Sequence, residues 1–236
     1  MPKHGKNYNE TSQSIDRDKH YSPDEAIDLA KGMARAKFDE TVELHIKTGS
    51  DARHADQLVR GVTLLPHGLG KEIKVLVFAS GAAAAAARDA GADYVGDDDL
   101  AKTIEGGWVD FDVAMATPDM MGKIGRLGRV LGRRGLMPNP RTGTVLQAQD
   151  LPRAIDEAKK GRVEFRMDRT SIIHAPLGKV SFDKEQLLEN MTALIDTVVK
   201  SKPSTVKGQF IRTAYITTTM GPSIRLDLPR IMEMGL

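Results

Sequence analysis

The chain has 236 residues, of which 40% are hydrophobic and 28% charged, with a formal net charge of +2. These are the proportions of a globular chain of one large or two small domains. It contains no cysteine, which excludes disulfides, thiol catalysis and thiolate metal sites and fits a reducing compartment. No apolar run approaches the roughly 18–20 residues of a membrane helix, and residues 1–18 lack the apolar centre of a secretory signal, so a cytoplasmic protein with no membrane partner is expected.

Residues 1–21 show no apolar periodicity and are expected to form a poorly ordered arm, fixed only by a partner. Ser22-Pro23-Asp24-Glu25 then reads as a helix start, with Ser22 as N-cap, Pro23 at the first position and Glu25 completing a capping box. Ala26, Ile27, Ala30, Met33 and Ala34 recur at helical spacing, and the helix is expected to end near Lys37. TVELHIKTG alternates strictly, with Val42, Leu44 and Ile46 on one face of a half-buried strand. LVRGVTLLP is expected to pair with it. PHGLGK follows as a boundary, with Gly68 and Gly70.

From Lys74 the pattern changes. KVLVFAS and FDVAMATP are continuous apolar runs, as in strands buried on both faces. Between them lie an alanine-rich helix ended by Gly91, the short strand ADYVG and a helix opened by Asp97, Asp98 and Asp99. This β-α-β-α-β order indicates a small parallel sheet wrapped in helices. Residues 121–149 hold six Lys/Arg and no acid. Their apolar residues Ile124, Leu127 and Leu131 share a helix face, but internal glycines weaken that helix by roughly 1 kcal/mol each. This basic stretch is either a footprint for a polyanion or a simple solvated face. A further helix closes at Gly161.

Beyond Gly161 alternation returns. RVEFRMD and SIIHAPLGKVSF read as antiparallel strands, DKEQLLENMTALIDTVVKSKP as a long amphipathic helix, and KGQFIRTAYITTT as a final strand stopped by Gly221-Pro222. The expected fold is therefore an α+β domain built from residues 1–67 and 160–236, with an α/β domain, residues 68–159, inserted into it. Gly68, Gly70 and Gly161 stand at the two crossings, where they would permit bending. The basic excess lies in the last segment, which carries 12 basic and 8 acidic residues over 160–236.

Enzyme chemistry finds little support. The first strand–helix turn of the inserted block offers Gly81 and then alanines, not the spaced glycines of a dinucleotide site. No phosphate-binding loop, nucleophile elbow or paired-histidine metal motif occurs, and no cofactor is expected. Asp97–Asp99 read as a helix cap and first turn rather than metal ligands. His45 and His174 fall on strands and read as structural residues.

Four segments taken together carry a resemblance: AKFDETVELH, RGVTLLPHGLGK, GLMPNPRTGTV and YITTTMGPS. In this order and spacing the chain resembles the bacterial ribosomal protein L-one family, the stalk proteins beside the tRNA exit site of the large subunit. The resemblance implies a discontinuous RNA-binding domain with an inserted Rossmann-like, three-layer domain. It implies a non-enzymatic ribosomal constituent that binds stalk ribosomal RNA, assists release of deacylated exit-site tRNA and represses its own operon mRNA. Other ribosomal components are implied partners.

The residues suit such a role. Folded RNA presents a shallow minor groove lined with 2′-hydroxyls, and threonine both donates and accepts. Thr213, Thr217 and Thr219 follow one strand period and could form a row of hydroxyls. Thr213 stands where the family often has serine. Met220 can fill a groove against RNA, and Gly221 permits close backbone approach. The resemblance places Lys37, Phe38 and Thr41 on the same surface. Phe38 either packs on a ribose or base or belongs to the core. Arg53, Arg166, Arg169 and Lys179 are candidate phosphate contacts.

Overall fold

The computed structural model describes residues 5–234. In chain order the elements are α1 (Lys6–Gln13), α2 (Pro23–Met33), β1 (Thr41–Thr48), β2 (Arg60–Leu64), β3 (Val75–Phe78), α3 (Gly81–Asp89), β4 (Tyr94–Gly96), α4 (Asp98–Glu105) and β5 (Val113–Ala116). They continue with α5 (Met121–Ile124), α6 (Gly128–Arg134), α7 (Leu151–Lys159), β6 (Arg162–Arg166), β7 (Ile172–Lys179), α8 (Lys184–Lys200), β8 (Ile211–Thr218), β9 (Ile224–Arg225) and α9 (Leu228–Met234). The protein is a mixed α/β structure with three sheets among the described residues. Its chain falls into two compact units, one running up to Gly70 and resuming at Val163, the other Lys71–Arg162. No helix of the described residues is long and apolar enough to cross a membrane.

In the first unit an antiparallel sheet has the order β7-β1-β8-β9. β1 sits between its partners, Leu44 lying opposite both Ala175 and Ile216. Its alternation has the expected result: Val42, Leu44 and Ile46 are buried, while Thr41, Glu43, His45 and Lys47 stand half-buried on the other face. The buried face joins one core with α2 and α8, through Ile27 and Met33 of the former and Leu187, Met191, Leu194 and Val198 of the latter. Both helices start as their sequences dictate. Ser22 accepts the Glu25 N–H at 3.3 Å, and Asp183 and Gln186 form a reciprocal capping box.

Four expectations are corrected here. β2 does not pair with β1, because β7 and β8 occupy both edges of β1; it pairs instead with β6. Gly61 makes this pairing possible, since a Cβ there would meet the buried Phe165 ring at 2.5 Å. β6 and β7 are consequently not a hairpin pair; a single bridge, Met167 to Ile173, joins their ends. α2 stops at Met33, earlier than Lys37, because the Glu40 carboxylate takes the N–H groups of Arg35 and Ala36. Within the expected arm, α1 is helical and Thr11, Ile15 and Tyr21 are buried; residues 1–4 lie outside the described residues. Tyr21 anchors this segment: its N–H donates to Arg225 O at 2.9 Å, its carbonyl accepts from Asp227 N at 2.8 Å, and its hydroxyl accepts from Asp16 N at 2.9 Å. No apolar period is present because the segment is held by two isolated anchors that follow α1, Ile15 and Tyr21, and not by a stripe along the helix.

The second unit holds a parallel sheet ordered β4-β3-β5. Every residue of β3 is buried. Leu76 and Phe78 face a core with α4, α5 and α6, whereas Val75 and Val77 face another with α3 and α7. The glycine-interrupted basic segment breaks into α5, a 3₁₀ turn and α6, yet Ile124, Leu127 and Leu131 all reach the core.

The loop after β2 is fixed from inside the first unit. Asn190 is fully buried, accepts His67 N–H at 3.0 Å, and donates to Gly68 O at 3.0 Å and Leu177 O at 2.7 Å. Gly68 and Gly70 both have φ of +67°, and a Cβ on Gly70 would meet the Phe182 ring at 2.7 Å. These glycines thus answer to a tight, packed turn. Replacing Asn190 with alanine would strip three backbone groups of their partner, one of them, Leu177 O, fully buried. Asn190→Ala is expected to lower stability by about 3 kcal/mol, read as a shifted urea midpoint at unchanged m.

Candidate nucleic-acid interface

β1 and β8 run antiparallel with Val42 opposite Thr218. The residues before β1 and those after β8 therefore meet at one edge of the sheet, although they are about 180 positions apart in sequence. Glu40 ties them together. It is only 1% exposed. Its Oε1 accepts from Arg35 N at 3.1 Å and Ala36 N at 3.0 Å, and its Oε2 accepts from Met220 N at 2.9 Å. Burial pushes this carboxyl up, but the backbone donors of Met220, Ala36 and Arg35 outweigh it and hold it below the ordinary value of 4.5. The Thr218 hydroxyl beside it adds to the lowering, although its geometry falls short of a hydrogen bond.

Next to this anchor, Thr41 N–H donates to Thr219 Oγ1 at 3.0 Å. Lys179, opposite Thr41 in the sheet, donates from Nζ to Thr41 Oγ1 at 2.9 Å. The Thr41 hydroxyl thereby accepts from the ammonium and keeps its own proton for an outside acceptor. Phe38 and Met220 flank the pair and are 56% and 64% exposed. The core alternative for Phe38 is thus excluded. A cavity of about 420 Å³ opens beside them, lined by Met33, Arg35, Phe38, Glu40 and Met220 among others. Lys37 is exposed in the same loop. Gly221 is glycine for an internal reason, since a Cβ would sit 2.4 Å from Thr218 Oγ1.

The structure brings Lys37, Phe38, Thr41, Lys179, Thr219, Met220 and Gly221 together. It does not bring the three expected arginines to that edge. Arg53 follows the opposite end of β1, and Arg166 and Arg169 flank the turn into β7 at that same end, where Lys47 faces Ile172. The length of β1 separates the groups by roughly 24 Å. All three arginines are exposed. The Arg169 turn is stiff: Asp168 Oδ1 accepts from Thr170 N and Ile172 N, each at 2.8 Å, and Ser171 adopts φ of +64°. Burial pushes the Asp168 carboxyl up, but the Thr170 hydroxyl, the Ile172 and Thr170 N–H groups and His174 together outweigh it and hold it below the ordinary carboxyl range.

The row of threonines is only partly a row. Thr213 and Thr217 face outward with Tyr215 between them, and Thr219 lies just beyond the strand. The Thr217 hydroxyl turns inward along the hairpin and donates to Gly221 O at 3.2 Å. Between the two ends of the face, His45 and His174 are direct cross-strand neighbours with Nδ1 atoms 2.7 Å apart. Burial and then the His174 charge hold His45 below its ordinary value, against the opposing pull of Glu43.

Glu40 is the residue that sequence reading missed at this face; His45 and His174 were placed on strands as structural residues, but their pairing was not foreseen. A signal for Glu40 existed: an acid directly before an alternating strand, in the segment FDETVE. In the second unit, Asp98 pairs with Lys123 at 3.0 Å and Glu105 with Arg126 at 3.0 Å, while Arg129, Arg133, Arg134 and Arg141 are exposed.

The sequence matches a model described as the ribosomal protein L1p/L10e family over residues 30–222, a span that includes the whole Thr41–Gly221 edge. A protein of Dehalococcoides mccartyi (strain BAV1) named "Large ribosomal subunit protein uL1" is 57% identical over 235 residues, covering 100% of this chain and 99% of its own. A protein of the same name from Thermomicrobium roseum is 56% identical over 234 residues, covering 99% of this chain and 97% of its own.

Glu40→Gln keeps one oxygen for Arg35 and Ala36 but sets an amide NH₂ against the Met220 N–H. It is expected to cost about 2–3 kcal/mol and to accelerate amide exchange at Met220. The pH dependence has a definite sign. With the folded pKa below 4.5, the stabilisation from this group is complete above pH 4.5 and is lost as pH falls through the lowered folded value. The acid limb of the stability profile is therefore expected to be shallower in Glu40→Gln than in the parent, as measured by urea unfolding across that range.

Proposed function

Since this chain belongs to the ribosomal protein L1p/L10e family, whose members are structural components of the ribosome and not enzymes, we propose that it binds structured large-subunit ribosomal RNA through the edge where Thr41 and Thr219 meet. The observation that carries this reading is the direct Thr41–Thr219 contact at 3.0 Å, with Phe38 and Met220 exposed on either side. An RNA minor groove offers 2′-hydroxyls and sugar edges, and a ledge of short hydroxyls with two apolar shoulders is complementary to it. Lys37 and Lys179 supply charge at the ledge. Arg53, Arg166 and Arg169 supply it at the far end of the same sheet, where they contact phosphates of an RNA element long enough to span both.

In this reading the RNA-binding domain is discontinuous, made of residues 1–67 and 160–236, and a Rossmann-like domain, residues 68–159, is inserted in it. The inserted domain's exposed arginines between Arg129 and Arg141 face tRNA in the exit site. The protein assists departure of deacylated tRNA by moving on its two chain crossings, the one that follows the packed Gly68–Gly70 turn and the one at Gly161. An operon mRNA folded like the ribosomal site would compete for the same ledge and be repressed. The resemblance to stalk proteins supports these roles. The protein is a ribosome-bound constituent of the large subunit.

Met220→Asp sets a carboxylate against phosphates and removes the apolar shoulder. It is expected to weaken binding of a structured ribosomal RNA fragment by at least about a hundredfold, with unchanged circular dichroism. Normal affinity in a folded variant would eliminate this edge. Arg166→Ala is expected to reduce the slope of log affinity against log salt by about one unit; an unaltered slope would remove Arg166 from the contact.

A further inference from the structure

The hairpin turn that carries Met220 has a second cavity on another side, of about 370 Å³. One wall comes from α1 and the turn after it, with Tyr8, Ser12 and Arg17; the other comes from β8 and β9, with Tyr215, Ser223 and Arg225. Two guanidinium groups thus border one polar space. Arg17 donates from Nη2 to Ser12 Oγ at 3.2 Å, and among the described residues neither Arg17 nor Arg225 is engaged in an ion pair. The single carboxylate at the cavity, Asp16, already accepts Asp18 N–H at 3.0 Å. Two guanidinium groups against this one carboxylate leave the cavity with a net positive charge, which a further anion would balance.

The placement says which anion. Pro222 and Ser223 at the cavity directly follow the Met220–Gly221 turn, so the space continues the ledge without a break in the chain. Arg225 lies opposite Tyr215, and Tyr215 opposite His45, so the same row runs from the cavity onto the exposed sheet face. Forked guanidinium donors suit phosphate oxygens, and serine hydroxyls with tyrosine rings suit the adjoining sugar. We propose that this cavity holds one phosphate of the RNA strand that crosses the Thr41–Thr219 ledge, clamped between Arg17 and Arg225. The inference rests on the reading of that ledge as RNA-binding. It gives α1 a role: Tyr21 docks the segment against β9, and α1 closes the cavity.

The test uses the full chain and a structured large-subunit RNA fragment, in the parent, in Arg17→Ala/Arg225→Ala, and in the conservative Arg17→Lys/Arg225→Lys. The alanine double variant is expected to lose about tenfold in affinity near 0.1 M salt and about one unit of salt slope, with the lysine pair restoring most of the slope. RNA carrying single methylphosphonate replacements adds a readout that a structural role would not move. One position is expected to weaken the parent and to have no further effect on the alanine variant. If the slope and the interference pattern are the same in both proteins while Met220→Asp still fails to bind, the phosphate clamp is overturned and the ledge stands. If Met220→Asp binds normally, the reading of the ledge falls first. Should the double variant not fold, Arg17→Glu alone, on an exposed turn, carries the same comparison.

Discussion

A buried carboxylate held by backbone N–H groups from two distant parts of the chain is the constraint on which the candidate interface depends. A lone ionised group in the interior is strongly unfavourable. Glu40 avoids this by collecting three donors: two from the end of α2 and one from Met220. Each bond also shapes the chain. By taking the N–H groups of Arg35 and Ala36, Glu40 ends α2 and turns Lys37 and Phe38 outward. By taking that of Met220, it fixes the turn after β8. Both exposed apolar side chains, Phe38 and Met220, are therefore displayed by a single charge, and the ledge between them can form only when the two ends of the unit are folded together.

The sheet supplies the second condition. Period-two alternation sends Val42, Leu44 and Ile46 inward to α2 and α8, and the remaining residues of β1 outward with Tyr215 and His174. No helix of this unit is needed on that outward face, because its residues satisfy one another: the two histidines share a contact, Glu43 and Asp168 sit within 3.6 Å and 3.5 Å of them, and Lys179 holds Thr41. A face of this kind can stay wet and still be ordered. Its two ends differ in chemistry, hydroxyls and apolar shoulders at one and exposed arginines at the other, which suits a partner with both sugar edges and phosphates.

Much of this was legible in the sequence where the signal is local. The alternation of TVELHIKT, the Ser22-Pro23-Asp24-Glu25 start and the continuous apolar run of β3 each reflect contacts within a few residues, and each element formed as its pattern dictates. Pairing was less legible. Nothing in LVRGVTLLP says that both edges of β1 are occupied, and the choice of β6 depends on Gly61 lying under Phe165. The N-terminal helix was missed because it has no apolar stripe of its own, and its segment is held by Ile15 and Tyr21 beyond it, too few positions to make a period. Among the candidate residues, Thr213, Thr217, Thr219 and Met220 were singled out from type and spacing, and Thr41 only through the family resemblance. The separation of Arg53, Arg166 and Arg169 from the ledge was not legible, since it follows from register: only when Lys47 is known to face Ile172 does the turn holding Arg169 fall at the far end of β1.

The hydroxyl ledge differs from a threonine-rich strand in one further respect. A free threonine would lose rotamer freedom on binding RNA, and an adaptable surface gives back much of its contact energy in that way. Here the ordering is complete beforehand. Thr219 Oγ1 is fixed by the Thr41 N–H, Thr41 Oγ1 by Lys179, and Thr217 Oγ1 by Gly221 O. Gly221 has no Cβ because Thr218 occupies its place, so even the closest-approach point of the backbone is set by the protein's own packing. The Lys179 contact does two things at once: it places a positive charge beside the ledge, and by donating to Thr41 it obliges that hydroxyl to direct its proton outward. Loss of the lysine would therefore remove orientation as well as charge, and a lysine-to-arginine exchange, which keeps the charge but presents a planar fork in place of a point donor, would retain the first contribution and disturb the second.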